Sequence, residues 1–272
     1  MKQICIPGTT LQVSRLSFGT GSLHHLPSLA RRRALLQAAL EAGFTHFDTS
    51  PYYGFGLGEL ALGSLPAASR QRMTVATKVG LYGPNGSRAW AVDVYARKFL
   101  GKLLPSLNRA VVDWSLARAR ATFDDSLRRL KRESVDLLLL HEPVAAFIRT
   151  SEWLQWLQSL QHNGRIRHWG VAGEPGLVVA VRLHAEALAP VIQVRDSLQR
   201  HEADVALNLP GTDSRPMQLT YGYLAAQSGA ARGGVLAEQC LLTALGRNAT
   251  GSVLVSTRRI ERIAGLAKVA AG

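Results

Sequence analysis

Short apolar runs alternate along most of this chain with stretches whose apolar residues recur at helical spacing. Residues 14–20, Ser-Arg-Leu-Ser-Phe-Gly-Thr, alternate as a first strand. Leu35, Leu36, Ala39 and Leu40 share one face of a helix predicted over about 28–42, with Gly43 where a C-terminal cap is wanted. A second strand runs from Thr45 to Phe47 and a third from Met73 to Lys78, with a short helix over 57–65 between them that directs Leu60, Ala61 and Ser64 inward. Leu116, Phe123, Leu127 and Leu130 mark a helix that starts at an N-cap, Ser115, and leads to a fourth strand, Val135 to His141. The same alternation gives strands over 165–172, 190–194, 217–221 and 252–256, and helices over 151–161, 176–188, 235–245 and 260–271. Residues 198–216, with Pro210, Gly211 and Pro216, leave room for only a short helix.

Eight strands alternating with helices predict one α/β domain over 1–272, a (β/α)8 TIM barrel. The alternation lapses once, after Lys78, for about 35 residues that include Gly80, Gly83, Pro84, Gly86 and a basic segment from Tyr95 to Leu104. A connection of that length is usually functional or disordered. Two readings stand here: a wall of a substrate pocket carrying Trp90, Tyr95 and Phe99, or a surface insertion with those rings as its own small core.

The candidate chemistry sits at strand ends. Asp48-Thr-Ser-Pro-Tyr-Tyr-Gly-Phe-Gly places an acid and two phenols just past the second strand. Alone, this stretch fits equally the rim of an active site or a helix cap with two packed tyrosines. Lys78 and His141 each close another apolar run, and in a parallel barrel all strand C-termini meet at one face, where polar residues read as catalytic.

Composition narrows the classes. At 272 residues, 47% of them hydrophobic, the chain can bury one sizeable core, and its apolar runs stop well short of the roughly 18 residues of a membrane span. With no signal-peptide h-region at the N-terminus, the expected setting is the cytoplasm and no membrane partner. Cys5 and Cys240 have neither metal-ligand nor redox spacing, so reduced thiols and no metal site are expected. The net charge of +13 is spread along the chain rather than gathered in an arm, which argues against a nucleic-acid partner. Arg31-Arg32-Arg33 and Arg128-Arg129 read as solvated helix ends, His168 and His184 as structural or exposed, and only Arg258-Arg259 has a specific rival role.

The spacing of Asp48, Tyr53, Lys78 and His141, an acid, a tyrosine five residues on, then a strand-end lysine and a strand-end histidine, resembles that of the aldo-keto reductases. The wording from Asp48 to Glu59 is most similar to the aldose (sugar) dehydrogenase branch of that family. The resemblance implies an NAD(P)-dependent oxidoreductase that moves a hydride between a nicotinamide cofactor and an aldehyde, ketone or aldose. Tyr53 would be the general acid/base; its free pKa, near 10, would be lowered by Lys78, which Asp48 would hold, while His141 would donate to the substrate oxygen.

By the same resemblance Gly19 and Thr20 would lie beside the cofactor, Gln193 would bond its carboxamide, Tyr221 would stack on the nicotinamide, and Gly222 and Leu224 would flank the pyrophosphate. Ser256, Thr257, Arg258 and Arg262 would take the adenosine phosphate, and a two-point arginine grip on a 2′-phosphate favours NADP, with NAD possible. No Gly-x-Gly-x-x-Gly follows a strand, so a Rossmann reading has no support. The chain departs from the family where Ala172-Gly173 replaces a Ser-Asn pair that grips the carboxamide, where Arg195 and Asp196 follow Gln193, and in a shortened C-terminal region that would leave the pocket roof to residues 81–105. The alternative is a non-catalytic barrel that binds a cofactor or ligand.

Overall fold

The computed structural model describes residues 1–83, 111–226 and 234–271. Eight parallel strands close into a barrel: β3 (Leu16–Gly19), β4 (His46–Asp48), β5 (Thr74–Val79), β8 (Val135–His141), β9 (Ile166–Gly173), β10 (Val191–Arg195), β11 (Leu219–Tyr221) and β12 (Ser252–Val255). They neighbour one another in chain order, and closure comes from β12 against β3, with Val253 opposite Leu16. Helices α1 (Leu29–Glu41), α2 (Leu57–Gly63), α4 (Leu116–Leu130), α5 (Thr150–His162), α6 (Pro175–Ala185), α7 (Asp204–Leu207), α8 (Gly234–Arg247) and α9 (Ile263–Val269) separate or follow these strands. Ser28 and Ser115 cap α1 and α4, each hydroxyl accepting from the backbone N–H three residues on.

The period of two along a strand sorts the side chains. On β8, Leu138 and Leu140 join the apolar layer between barrel and helices, whereas Leu137 and Leu139 join a second cluster with Ala76, Ala172, Val191 and Leu219 inside the barrel. The interior parity carries on to His141 at the strand end. On β5, Val75 and Val79 face the helix layer and Ala76 the interior, so Lys78 shares the interior parity; Phe47 faces outward on β4, which gives Asp48 the same direction. Three polar residues are thus delivered to the interior at the C-terminal mouth by alternation alone.

The other end is plugged by a hairpin the periodicity did not predict, β1 (Gln3–Cys5) and β2 (Gln12–Ser14), whose Ile6, Leu11 and Val13 belong to the interior cluster. Also unpredicted is α3 (Ala67–Gln71). The second strand reaches Asp48 instead of stopping at Phe47, and the seventh starts at Leu219. Leu60, expected inward, lies on the outer side of α2 at 36% exposure while Ala61 is buried.

In each of two arginine clusters one member turns inward, while Arg31, Arg33 and Arg128 are exposed as expected. Arg32 is buried and donates to the carbonyls of Leu23 (3.1 Å) and Leu26 (2.8 Å), and Arg129 is bonded to the fully buried Glu59. Immediately beyond β5, β6 (Leu81–Tyr82) pairs antiparallel with β7 (Val111–Val112), so the long connection departs from and rejoins the barrel on its C-terminal side. Its residues 84–110, with Trp90, Tyr95 and Phe99, lie outside the described residues. Among the described residues no helix is long and apolar enough to cross a membrane, and no three His, Cys, Asp or Glu side chains are grouped to hold a metal ion.

Candidate active site

Lys78 is 1% exposed, yet its ammonium has a full set of partners: Asp48 Oδ1 at 2.6 Å, the Thr49 carbonyl at 3.0 Å and Tyr53 Oη at 3.2 Å. A buried cation needs such compensation, because transfer from water costs several kcal/mol. Tyr53 reaches Lys78 because the loop after β4 folds back, Tyr53 N–H donating to the Ser50 carbonyl at 3.0 Å. His141 meets the Tyr53 ring edge-on, with centroids 5.7 Å apart, and its Nδ1 lies 3.3 Å from Ser50 Oγ. The structure therefore brings together all four residues singled out in the sequence.

Their electrostatics follow from burial. Desolvation, then Lys78, holds His141 well below the ordinary histidine pKa, so the ring is neutral and keeps one N–H to donate. Burial lowers Lys78 against the pull of Asp48, and burial followed by Asp48 raises Tyr53 well above its ordinary value. The direction for the phenol is opposite to the sequence expectation: in this enclosed site burial and the negative charge of Asp48 disfavour the phenolate.

A cavity of about 420 Å³ opens over these side chains at the C-terminal mouth. Of the positions expected to bind a cofactor, Gly19, Gln193, Tyr221, Gly222, Leu224 and Ser256 line it. Ser256 also belongs to a neighbouring cleft of about 520 Å³ lined by Thr257, Arg258 and Arg262. Thr20 lines neither: it is buried, its hydroxyl engaged with the Asp48 carbonyl (3.0 Å) and Thr49 Oγ1 (2.8 Å), and it supports the acid-bearing loop.

Sequence reasoning missed three residues here. Arg31 and His25 line the arginine-rich cleft; their only signal is nearness to the first strand's loop, and Arg31 is exposed as expected while also lining the cleft. Glu142 lines the main cavity beside His141 with φ +49°, a left-handed backbone few non-glycine residues adopt. Arg195 and Asp196 have structural partners, Arg195 with Glu174 at 3.1 Å and the buried Asp196 with Arg247 at 2.6 Å and Tyr223 Oη at 2.7 Å.

The two neighbouring cavities, which share Ser256, suit an elongated ligand with an anionic end toward the arginines and a planar polar end beside Gln193, whose buried Oε1 has no partner among the described residues.

A parallel barrel with a buried Asp-Lys-Tyr contact and a histidine at its C-terminal mouth defines a class, and comparison with known proteins supplies its name. Residues 15–207 match the family described as Aldo/keto reductase family, and this chain belongs to it. It is 34% identical over 152 residues to pyridoxal 4-dehydrogenase of Microbacterium luteolum, and 34% identical over 138 residues to D-threo-aldose 1-dehydrogenase of a Pseudomonas species. Each match takes in 49% of this chain and 41% of the relative, so the chain spans less than half the length of these curated relatives. In three dimensions it is similar to a Pseudomonas aeruginosa structure assigned to the aldo-keto reductases (TM-score 0.74, 21% identity, 98% of this chain and 94% of that one). It is also similar to an aldo-keto reductase of Klebsiella pneumoniae in complex with NADPH (TM-score 0.65, 19% identity, 99% and 90%).

Proposed function

We propose that this protein is a single-domain NAD(P)-dependent oxidoreductase that interconverts an aldehyde, ketone or aldose with its reduced or oxidised partner. The observation that carries the reading is the Lys78 ammonium bonded at once to Asp48 and Tyr53, with His141 against the same phenol. A carbonyl oxygen gains a proton when its carbon is reduced, and Tyr53, which lines the cavity with its phenol bonded to Lys78, carries one to give. Lys78 stabilises the phenolate left behind, and Asp48 keeps Lys78 charged and aimed. His141, neutral, donates to the carbonyl oxygen and fixes its approach. When bound, a reduced nicotinamide supplies the hydride that the protein's side chains cannot.

The relatives' names, two dehydrogenases of which one acts on an aldose, support a small carbonyl or sugar substrate. The four arginines of the cleft, Arg31, Arg258, Arg259 and Arg262, favour a nucleotide with an extra phosphate, and so NADP over NAD. Titration with NADPH and NADH, followed by nicotinamide fluorescence, tests the reading. Binding of NADPH with reduction of a small aldehyde or lactone is the expected result; no binding of either nucleotide refutes it.

A further inference from the structure

Glu142 is oddly placed for a surface carboxylate. It follows His141 at the end of β8, and its backbone is held in the left-handed region by its own N–H, which donates to the Ala172 carbonyl at 2.7 Å. That conformation costs a non-glycine residue on the order of 1 kcal/mol or more and persists only when the surroundings enforce it. Its effect is to turn the side chain across to β9. A Cβ built on Gly173 would stand 2.8 Å from Glu142 Oε2 and 3.3 Å from Glu142 Cα. The carboxylate therefore fills the place a side chain at 173 would take, and glycine is required there to admit it.

One oxygen of this carboxylate has a partner: Oε2 accepts from the Glu174 N–H at 3.1 Å. Oε1 has none among the described residues. Across the same cavity Gln193, 3% exposed, has its buried Oε1 equally unpartnered. Two acceptors without donors therefore line one cavity, and an amide side chain can also offer its N–H₂ group. A buried acceptor such as Gln193 Oε1 is usually satisfied, and leaving it unpaired costs about 1–3 kcal/mol; Glu142 is half-buried.

We propose that Glu142 and Gln193 together grip the primary carboxamide of the nicotinamide ring, Glu142 Oε1 accepting one of its N–H bonds and the Gln193 amide pairing with the other and with the carbonyl. A primary carboxamide has two donors on one nitrogen beside one acceptor, and this set matches Glu142 and Gln193 completely. The arrangement also explains Ala172-Gly173, which have no polar side chain to offer: the carboxylate that Gly173 admits does the holding instead. With the carboxamide fixed, the ring is oriented at the mouth shared with Tyr53 and Lys78.

The inference rests on the nicotinamide reading above, and a chemical double-mutant cycle separates the two. The probes are NADPH and its reduced 3-acetylpyridine analogue, in which a methyl ketone replaces the amide and both N–H donors are lost. Dissociation constants are read by fluorescence quenching, without turnover. The unaltered protein should prefer NADPH by about tenfold or more, the range for a hydrogen bond to a charged acceptor. Glu142→Ala should abolish most of that preference by weakening NADPH alone. Glu142→Gln, which preserves shape and an acceptor oxygen, should keep a reduced preference and serves if the alanine variant fails to fold.

If the unaltered protein binds both nucleotides equally, or Glu142→Ala leaves the preference intact, the carboxamide grip is wrong while the oxidoreductase reading stands. An intact preference with a raised KM for a sugar would mean that Glu142 holds substrate hydroxyls instead. Failure of the unaltered protein to bind either nucleotide overturns both proposals.

Discussion

Three acceptors share one ammonium at Lys78, and this sharing decides what each neighbour can do. Asp48 at 2.6 Å keeps the lysine charged inside the barrel, while Tyr53 at 3.2 Å is within reach without being ionised by it. Removing only the phenol oxygen should therefore spare binding and remove the proton donor. Tyr53→Phe is expected to lower kcat by about 10²- to 10⁴-fold, the usual range for a general acid, with the NADPH dissociation constant changed less than about twofold. Stopped-flow turnover and equilibrium titration on the same sample check this, and a variant that stops binding NADPH would move Tyr53 from the proton to the cofactor.

His46 lies two residues before Asp48, 1% exposed, with Nδ1 2.9 Å from Thr74 Oγ1 and Nε2 unpartnered among the described residues. Burial, assisted by Lys78 and opposed by Asp48 and Asp136, pushes its pKa down to about 4. The unfolded chain, at about 6.5, binds the proton more tightly, so this stability is fully present above about pH 6.5 and is lost as pH falls toward 4. Between pH 7 and 5 the loss from His46 alone is about 2 kcal/mol, and His141, also depressed, adds in the same direction. Urea unfolding at the two pH values measures it, and His46→Gln should show a visibly flatter pH dependence; an equal slope would mean that His46 is not the group responsible.

Among elements, the strand that carries Lys78 is tied from outside the barrel. Thr77, facing the helices, donates to Glu59 Oε1 on α2 at 2.6 Å, and Arg129 on α4 donates to Glu59 Oε2 at 2.6 Å. Gly63 lets α2 approach so closely that a Cβ there would overlap the Arg129 carbonyl oxygen. Glu59 is fully buried, so Arg129→Met would strand a charge and should destabilise the fold by about 3–5 kcal/mol. Pairing it with Glu59→Gln should recover much of that loss, and a double-mutant cycle by urea unfolding gives the coupling. Additive single effects would show that the pair is not a unit.

This tie was hidden in the sequence, where Glu59 was one letter of a motif and Arg128-Arg129 looked like a solvated end. β8, by contrast, was legible to its exact bounds, Val135–His141, because a strand buried on both faces is a continuous apolar run. β1, β2 and α3 are three to five residues each, too short for either period to register. The acid, tyrosine, lysine and histidine were visible because each sits at or just after a strand end. Glu142 was not, since its role depends on a backbone turn and on the empty side of Gly173 across the strand pair.

Only the closed molecule brings the two cationic segments together. Arg31 is at the start of α1, after the first barrel strand, whereas Arg258, Arg259 and Arg262 follow the last; β12 pairing with β3 makes them neighbours around one cleft. No local pattern contains that adjacency. The net charge of +13 gives the whole surface an attraction for anions, but a specific grip needs forked donors converging from more than one side. If the cleft holds the 2′-phosphate, its arginines contribute to NADPH and add little to NADH, which has a hydroxyl there. Arg258→Ala, Arg262→Ala and Arg31→Ala are each expected to raise the NADPH dissociation constant by about tenfold while NADH changes less than about threefold, corresponding to roughly 1.5 kcal/mol per charge-assisted contact. The three sites share one ligand group, so Arg31→Ala combined with Arg258→Ala should fall short of the product of the single effects. Fluorescence titrations of both nucleotides at two salt concentrations check this, because the exposed arginines should also weaken NADPH binding as salt rises. Equal losses for NADPH and NADH would assign the cleft to the phosphates common to both, and the preference for NADP would then have no physical basis in this molecule.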